Sequence, residues 1–266
     1  TYGTGELISH AIEHGYREFI IGIGGSATND AGLGMLQALG FRFYDQNGEI
    51  LGKGGQILDQ IVAIDFSSVH PALKDARFTI ACDVRNPFSG PEGAAYVFAR
   101  QKGADGAMIE KLDAGMKRFS RLIHSTTGRE ITEVAGAGAA GGLGGAFLAF
   151  LNAELKPGIE LLLRTLKFDE KIKDADLIIT GEGRVDRQSV MGKVPFGILE
   201  EANKQGIPVI VVAGSIADTE VLNKAGFRGI FSIVPSPMSL EVAMKPEAAK
   251  NNISRTVAQI ISLATL

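Results

Sequence analysis

The chain is poor in the features that would tie it together covalently or hold it in a membrane. It has a single cysteine, Cys82, in 266 residues, so no internal disulfide can form, and such usage fits a reducing compartment. No apolar run approaches the ~18 residues that a membrane-spanning helix needs. The opening stretch TYGTGELISHAIEHG has neither a basic n-region nor an apolar h-region, so it does not read as a secretory signal. Tryptophan is absent, and the 27 basic residues are scattered rather than clustered among aromatics, which excludes nucleic acid as an expected partner. The formal net charge of -3 is mild. A cytoplasmic protein without a membrane partner is the resulting expectation.

Glycine is what the chain has in excess, with 34 residues gathered mainly at the ends of expected strands. Glycine serves where backbone must approach something closely or take a positive φ. The length and a 45% hydrophobic content allow one large domain or two ordinary ones with a sizeable core. Periodicity predicts helices over 4–15, 31–40, 104–124 and 145–155, the last capped by Lys156-Pro157-Gly158, with helical character continuing through 158–174. Buried strands are expected at 17–24 and 77–82, further extended structure at 57–69, and a hairpin over 41–51 turning at Asn47-Gly48. The last hundred residues alternate short β-rich runs (175–180, 207–214, 228–234) with helices near 195–205, 218–225 and 246–263. That alternation signals βαβ units and a parallel sheet. The composition shifts near 165–175, giving expected domains of 1–170 and 171–266.

Four segments share one design, a strand followed by glycine and small polar groups: GGSATNDAG (24–32), CDVRNPFSGPEGA (82–94), TGEGRVDRQS (180–189) and VAGS (212–215). In open α/β sheets, ligands bind beyond the carboxyl ends of strands. Any one of these alone reads as an ordinary turn; four together point to a site. AGAGAAGGLGGA (135–146) contains Gly136-x-Gly138-x-x-Gly141, but a helical stretch follows where the dinucleotide fingerprint needs a second strand, which argues against a nicotinamide oxidoreductase. Its glycines suit either a helix N-terminus that receives a phosphate or carboxylate, or close packing. Gly192-Lys193 lacks the preceding glycine and the following Ser/Thr of a Walker A loop. His10 and His14 share a helix face without a third metal ligand, and Cys82 reads as a structural thiol. Glu182, Arg184 and Asp186 place two carboxylates and a guanidinium just past an expected strand, where they could hold Mg²⁺, accept a proton or clamp an anion.

The segments GIGGSATNDAGLGMLQALG, CDVRNPFSGPEGA, GAGAAGGLG and DLIITGEGRVDRQSVMGKVPFGI, taken in this order, resemble the bacterial type I glycerate kinases along essentially the whole chain. The resemblance implies an α/β fold of two α/β domains across a cleft, a Rossmann-like parallel-sheet domain and a domain inserted into it. It implies ATP- and Mg²⁺-dependent phosphorylation of D-glycerate. Members of that family begin well before the position matching Thr1, with a loop of Asp-Ser-Phe-Lys type that nothing here matches; a truncated chain is therefore expected, whose alternative role is a noncatalytic fragment that keeps a ligand pocket. Ala135 stands where relatives tend to have proline. Oligomeric state stays open, with a homodimer among the options.

On that resemblance the site residues take expected roles. Gly24 and Gly25 let backbone approach the ligand, while Ser26, Thr28 and Asn29 supply hydrogen bonds and Asp30 caps the helix or helps hold metal. Gly136, Gly138 and Gly141 present N–H groups to phosphate or carboxylate. Asp83 and Glu182 hold Mg²⁺ or orient the attacking hydroxyl, with Asp186 next. Arg85, Arg184 and Lys193 stabilise charge.

Overall fold

The computed structural model describes residues 1–190 and 192–264, and two compact units divide the chain, Thr1–Gly158 and Ile159–Leu266. Met191, inside the last of the four motifs, lies outside the described residues.

The first unit runs α1 (Tyr2–Glu13), β1 (Glu18–Gly22), α2 (Leu33–Ala38), β2 (Arg42–Tyr44), β3 (Ala63–Asp65), β4 (Arg77–Ala81), α3 (Gly106–Thr127), α4 (Ala139–Phe150) and β5 (Glu154–Lys156). Strands β1, β4 and β5 form a parallel sheet in the order β1-β4-β5. Their carboxyl ends therefore lie on one side, which is where residues 23–26 and 82–84 emerge. Helix α3 starts at Asp105, whose side chain accepts the Met108 N–H at 2.8 Å, and stops at Gly128 in a left-handed conformation, φ 73°. Phe43, Phe88, Phe119 and Phe147 are fully buried at the centre of this unit.

One expectation fails here and another holds only in part, for identifiable reasons. Residues 154–156 are strand β5, paired with β4, so the helix expected over 145–155 ends at Phe150. The hairpin turning at Asn47-Gly48 does form, closed by the Asp45–Glu49 and Leu51–Phe43 backbone bonds and an antiparallel bridge between Tyr44 and Ile50, but its second arm is not a full strand, and β2 finds its extended antiparallel partner in the distant β3. Asp45 braces the turn, accepting the Asn47 and Glu49 N–H groups at 2.9 Å each.

The glycine-rich segment is a backbone-packing device. Ala140, Gly141 and Gly142 are all left-handed, with φ of 54°, 67° and 93°, so regular helix begins only after them. A methyl on Gly138 would collide with the Pro87 carbonyl oxygen, and one on Gly141 with the Thr28 carbonyl oxygen. The Gly138 N–H donates to the Asn86 carbonyl at 3.1 Å, and the Ala31 N–H donates to the Gly141 carbonyl at 2.9 Å. Segment 136–142 is thus wedged between the loops that follow β1 and β4.

The second unit comprises α5 (Gly158–Thr165, beginning at the boundary), α6 (Phe168–Lys171), β6 (Ile178–Val185), α7 (Val194–Asn203), β7 (Val209–Ile216), α8 (Thr219–Ala225), β8 (Gly229–Ser232), α9 (Leu240–Ala243) and α10 (Pro246–Ala264). Its sheet is parallel in the order β6-β7-β8. The first five residues of β7 are all buried, as a strand covered on both faces requires. The boundary falls about a dozen residues before the expected 170 because α5 packs with this unit: Gly197 in α7 leaves room for the Ile159 side chain.

Gly138→Ala is expected to destabilise the chain by about 1–3 kcal/mol or more, since backbone on the facing loop must move. Gly3→Ala, where a methyl meets open space, is expected to stay within about 0.5 kcal/mol or stabilise slightly. Urea midpoints at unchanged m-value check both.

Candidate active site

At the carboxyl ends of β1 and β4 the first unit holds a hollow of about 220 Å³. Gly24, Gly25 and Ser26 line it from the β1 loop, Cys82 and Asp83 from the β4 loop, and Ala139 and Ala140 from the glycine-rich segment. A methyl on Gly24 or Gly25 would meet no protein atom within 4 Å. Packing therefore gives no reason for glycine at either position, unlike Gly138 and Gly141, though Gly25 also holds a left-handed φ of 66° that favours glycine. Ala140 holds a left-handed conformation unusual for a residue with a Cβ, and such strain concentrates at functional sites.

The fourth wall comes from the stretch after the β4 loop. Ala95–Ala99 is a π-helical turn and Arg100–Lys102 a 3-10 turn, ended by Gly103 at φ 100°. This irregular segment delivers Phe98, Gln101 and Lys102 to the hollow. Lys102 Nζ donates to Ser26 Oγ at 2.8 Å and to the Thr28 carbonyl at 2.7 Å. Burial pushes the Lys102 ammonium below the usual lysine range, and the charge of Asp30 pulls the other way.

Asp83 is exposed, and its Oδ1 accepts the Gly158 N–H at 2.8 Å. Asp30 is buried and committed to structure: Oδ1 accepts the Gly32 N–H at 3.0 Å, and Oδ2 accepts the Gly34 N–H at 3.2 Å and the Thr1 hydroxyl at 2.7 Å. It is a cap, not a metal ligand. Thr28 and Asn29 do not line this hollow; Asn29 lines a neighbouring one of about 380 Å³ on the other side of Lys102. Thr28 Oγ1 and Asn29 Oδ1 are buried without a hydrogen-bond partner among the described residues. Arg85 is exposed and not among the lining residues. Burial is the main reason the Cys82 thiol is raised above its usual range, with Asp83 adding to it.

In the second unit, Gly181, Glu182, Gly183 and Arg184 lie within β6 rather than in a loop beyond it. The pairing explains this: β6 and β7 stay in register as far as Arg184–Ser215 and Val185–Ile216. Both strands carry glycine where they approach, since methyls on Gly181 and Gly214 would stand 3.0 Å from the carbonyl oxygens of Val212 and Gly183. Glu182 Oε1 faces Lys193 Nζ at 3.6 Å, and Oε2 receives the hydroxyl of buried Ser189 at 3.3 Å. Ser189 Oγ also accepts the Asp186 N–H at 3.2 Å, and Arg184 Nε donates to Asp186 Oδ2 at 3.1 Å. Glu182, Arg184, Asp186 and Lys193 are thus one cluster knitted by Ser189. Beside it Arg187 pairs with Asp218 at 3.2 Å, which holds the Asp218 carboxyl below its usual range. A separate hollow of about 880 Å³ beside Arg228 and Arg255 opens near the amino ends of β7 and β8, away from this cluster.

Sequence reasoning missed Lys102, Ser189, Arg187 and Asp218. Ser189 follows Asp186 by three residues, a local capping spacing that could have been read. Lys102 meets Ser26 across 76 positions, and nothing in its own neighbourhood announces that contact.

The profile of the glycerate kinase family matches residues 1–265. The chain belongs to the glycerate kinase family. It is 47% identical to "Glycerate kinase" of Halalkalibacterium halodurans, over 96% of this chain and 68% of that relative. It is 47% identical to "Glycerate 2-kinase" of Escherichia coli, over 95% of this chain and 66% of that relative. Among solved structures, a Salmonella typhimurium LT2 protein assigned as a glycerate kinase 2 superposes with a TM-score of 0.81 at 42% identity, covering 99% of this chain and 69% of that one. This family member is a kinase with a mixed α/β fold built on parallel sheets. No helix among the described residues is long and apolar enough to cross a membrane.

The kinase has one thiol, which makes it a clean reporter of the 220 Å³ hollow. At pH 8, iodoacetamide is expected to alkylate Cys82 several-fold more slowly than it alkylates a free small thiol, because burial disfavours the thiolate. Intact mass measured against time checks this; a rate equal to or above that of the free thiol would contradict the environment described.

Proposed function

We propose that the chain is a type I member of its family and phosphorylates D-glycerate with ATP and Mg²⁺, the acid binding in the hollow at the carboxyl ends of β1 and β4. The observation that carries this reading is the fit of that hollow to a small polyol acid. Its volume of about 220 Å³ lies below the roughly 300–1,000 Å³ of sites for larger ligands. Its walls offer bare backbone, a hydroxyl, an ammonium and a carboxylate. The relatives' names point to the same substrate class.

Phosphoryl transfer asks for positioning and charge neutralisation rather than covalent help. Asp83 has one oxygen fixed by the Gly158 N–H, so its carboxylate is oriented while the other oxygen can accept the proton of the attacking hydroxyl. Gly24 and Gly25 let the acid lie against backbone. In the second unit, Arg184 and Lys193 are the cations suited to phosphate oxygens, and Ser189 holds Glu182 in place between them.

No three His, Cys, Asp or Glu side chains gather as a metal cage among the described residues. Mg²⁺ does not need one, since it is usually held through one or two carboxylates plus substrate phosphates. Asp83 in the first unit fits that requirement, and Glu182 in the second fits it once the Lys193 contact is exchanged. Bound there, the ion would neutralise charge on the nucleotide phosphates.

ADP release is expected to depend on both D-glycerate and Mg²⁺. Asp83→Asn should lower kcat by about 10²–10⁴-fold with an unchanged melting temperature, because the side chain is exposed. Glu182→Gln should remove most turnover as well. An unchanged rate in Asp83→Asn would remove that residue from the chemistry. Binding of D-glycerate without any ADP release would instead favour a noncatalytic binding module.

A further inference from the structure

Lys102 belongs to no sequence motif considered above, yet it is the cation at the wall of the hollow. An ammonium has three donors and no acceptor. Two of the three are placed, on Ser26 Oγ at 2.8 Å and the Thr28 carbonyl at 2.7 Å. Both acceptors are neutral. Among the described residues Lys102 has no ion-pair partner, whereas Lys117, Lys156, Lys193 and Lys204 each face a carboxylate within 4 Å. Asp30 acts on it only from beyond ion-pair distance, and a half-buried ammonium without a direct ion pair is costly unless a ligand supplies one.

We infer that Lys102 is the carboxylate-binding residue of the hollow: it receives the carboxylate of D-glycerate, with the Ser26 hydroxyl as second donor, and so turns the hydroxyl end of the acid toward Asp83. This inference rests on the assignment of D-glycerate to that hollow. Ser26 Oγ already accepts from Lys102, so its own O–H is left to donate, and the natural acceptor beside a lysine is an anion. Asp83 stands on another wall of the same cavity. A second carboxylate cannot settle next to it without repulsion, whereas a neutral hydroxyl can. The two side chains therefore sort the two ends of the substrate by charge. Gly24 and Gly25, with open space where side chains would be, leave room for the acid between them.

The test is a steady-state and binding comparison of the wild-type chain with Lys102→Met. The variant is expected to raise KM for D-glycerate about 10–100-fold, the loss of a charge-assisted hydrogen bond, with KM for ATP unchanged. Wild-type protein should bind D-glycerate far better than uncharged glycerol in calorimetric titration, and Lys102→Met should lose most of that discrimination. An unchanged KM for D-glycerate, a rise in KM for ATP alone, or preserved discrimination against glycerol would each overturn the assignment. If wild-type protein fails to bind D-glycerate at all, it is the proposed substrate that falls. Should Lys102→Met not fold, amine acetylation of the wild-type chain read by peptide mass spectrometry decides: D-glycerate should protect Lys102 and leave exposed Lys74 reactive, and equal labelling of Lys102 with and without the acid would overturn the proposal.

Discussion

The first unit depends on contact between backbone and backbone. Segment 136–142 touches the loop after β1 at Thr28 and Ala31, and the loop after β4 at Asn86 and Pro87. No side chain fits in either contact, so glycine is the only residue that lets three chain segments converge there. The wedge fixes the separation of the β1 and β4 loops and hence the width of the hollow between them. It also forces Ala140 into a left-handed conformation at the wall of that hollow. Close backbone contacts of this kind set the geometry of the walls, and geometry is what positioning catalysis requires.

Glycine therefore has two jobs in this chain, and they can be told apart. Gly138 and Gly141 are small because protein fills the space of the missing side chain. Gly24 and Gly25 are small where nothing fills it. At the wall of a hollow, the second kind leaves room for a ligand to come close. The same distinction separates the buried acids from the exposed ones. Asp30 spends both oxygens on backbone N–H groups and a hydroxyl, while Asp83 keeps one oxygen free of any such bond among the described residues. In the second unit the acid at Glu182 is held by Lys193 and Ser189, a more committed arrangement that ligand binding would have to rearrange.

Much of this was legible in the sequence. The strand-glycine-polar pattern located the loops after β1 and β4, and the alternation of β-rich and helical runs gave the parallel sheet of the second unit. What stayed hidden depended on distant pairing. TGEGRV looks like a loop by composition, but β7 brings its own Gly214 opposite and keeps the segment in a ladder. Residues 154–156 carry a helical pattern, yet β4 offers them an open edge. Lys102 was invisible because its meaning comes from Ser26 and Thr28, more than seventy positions away, through a π-helical turn that no propensity announces. The glycine-rich segment was legible as important, while its packing role and its ligand role could not be separated until the neighbours of each missing Cβ were known.

The claim on which the rest turns is that the hollow in the first unit receives the organic acid. Amide chemical-shift mapping with D-glycerate tests it most directly. Titration is expected to shift Gly24, Gly25, Ser26, Asp83 and Ala140 together, with one saturation curve. Shifts confined to the strand β6 cluster or to the hollow beside Arg228 and Arg255 would contradict it.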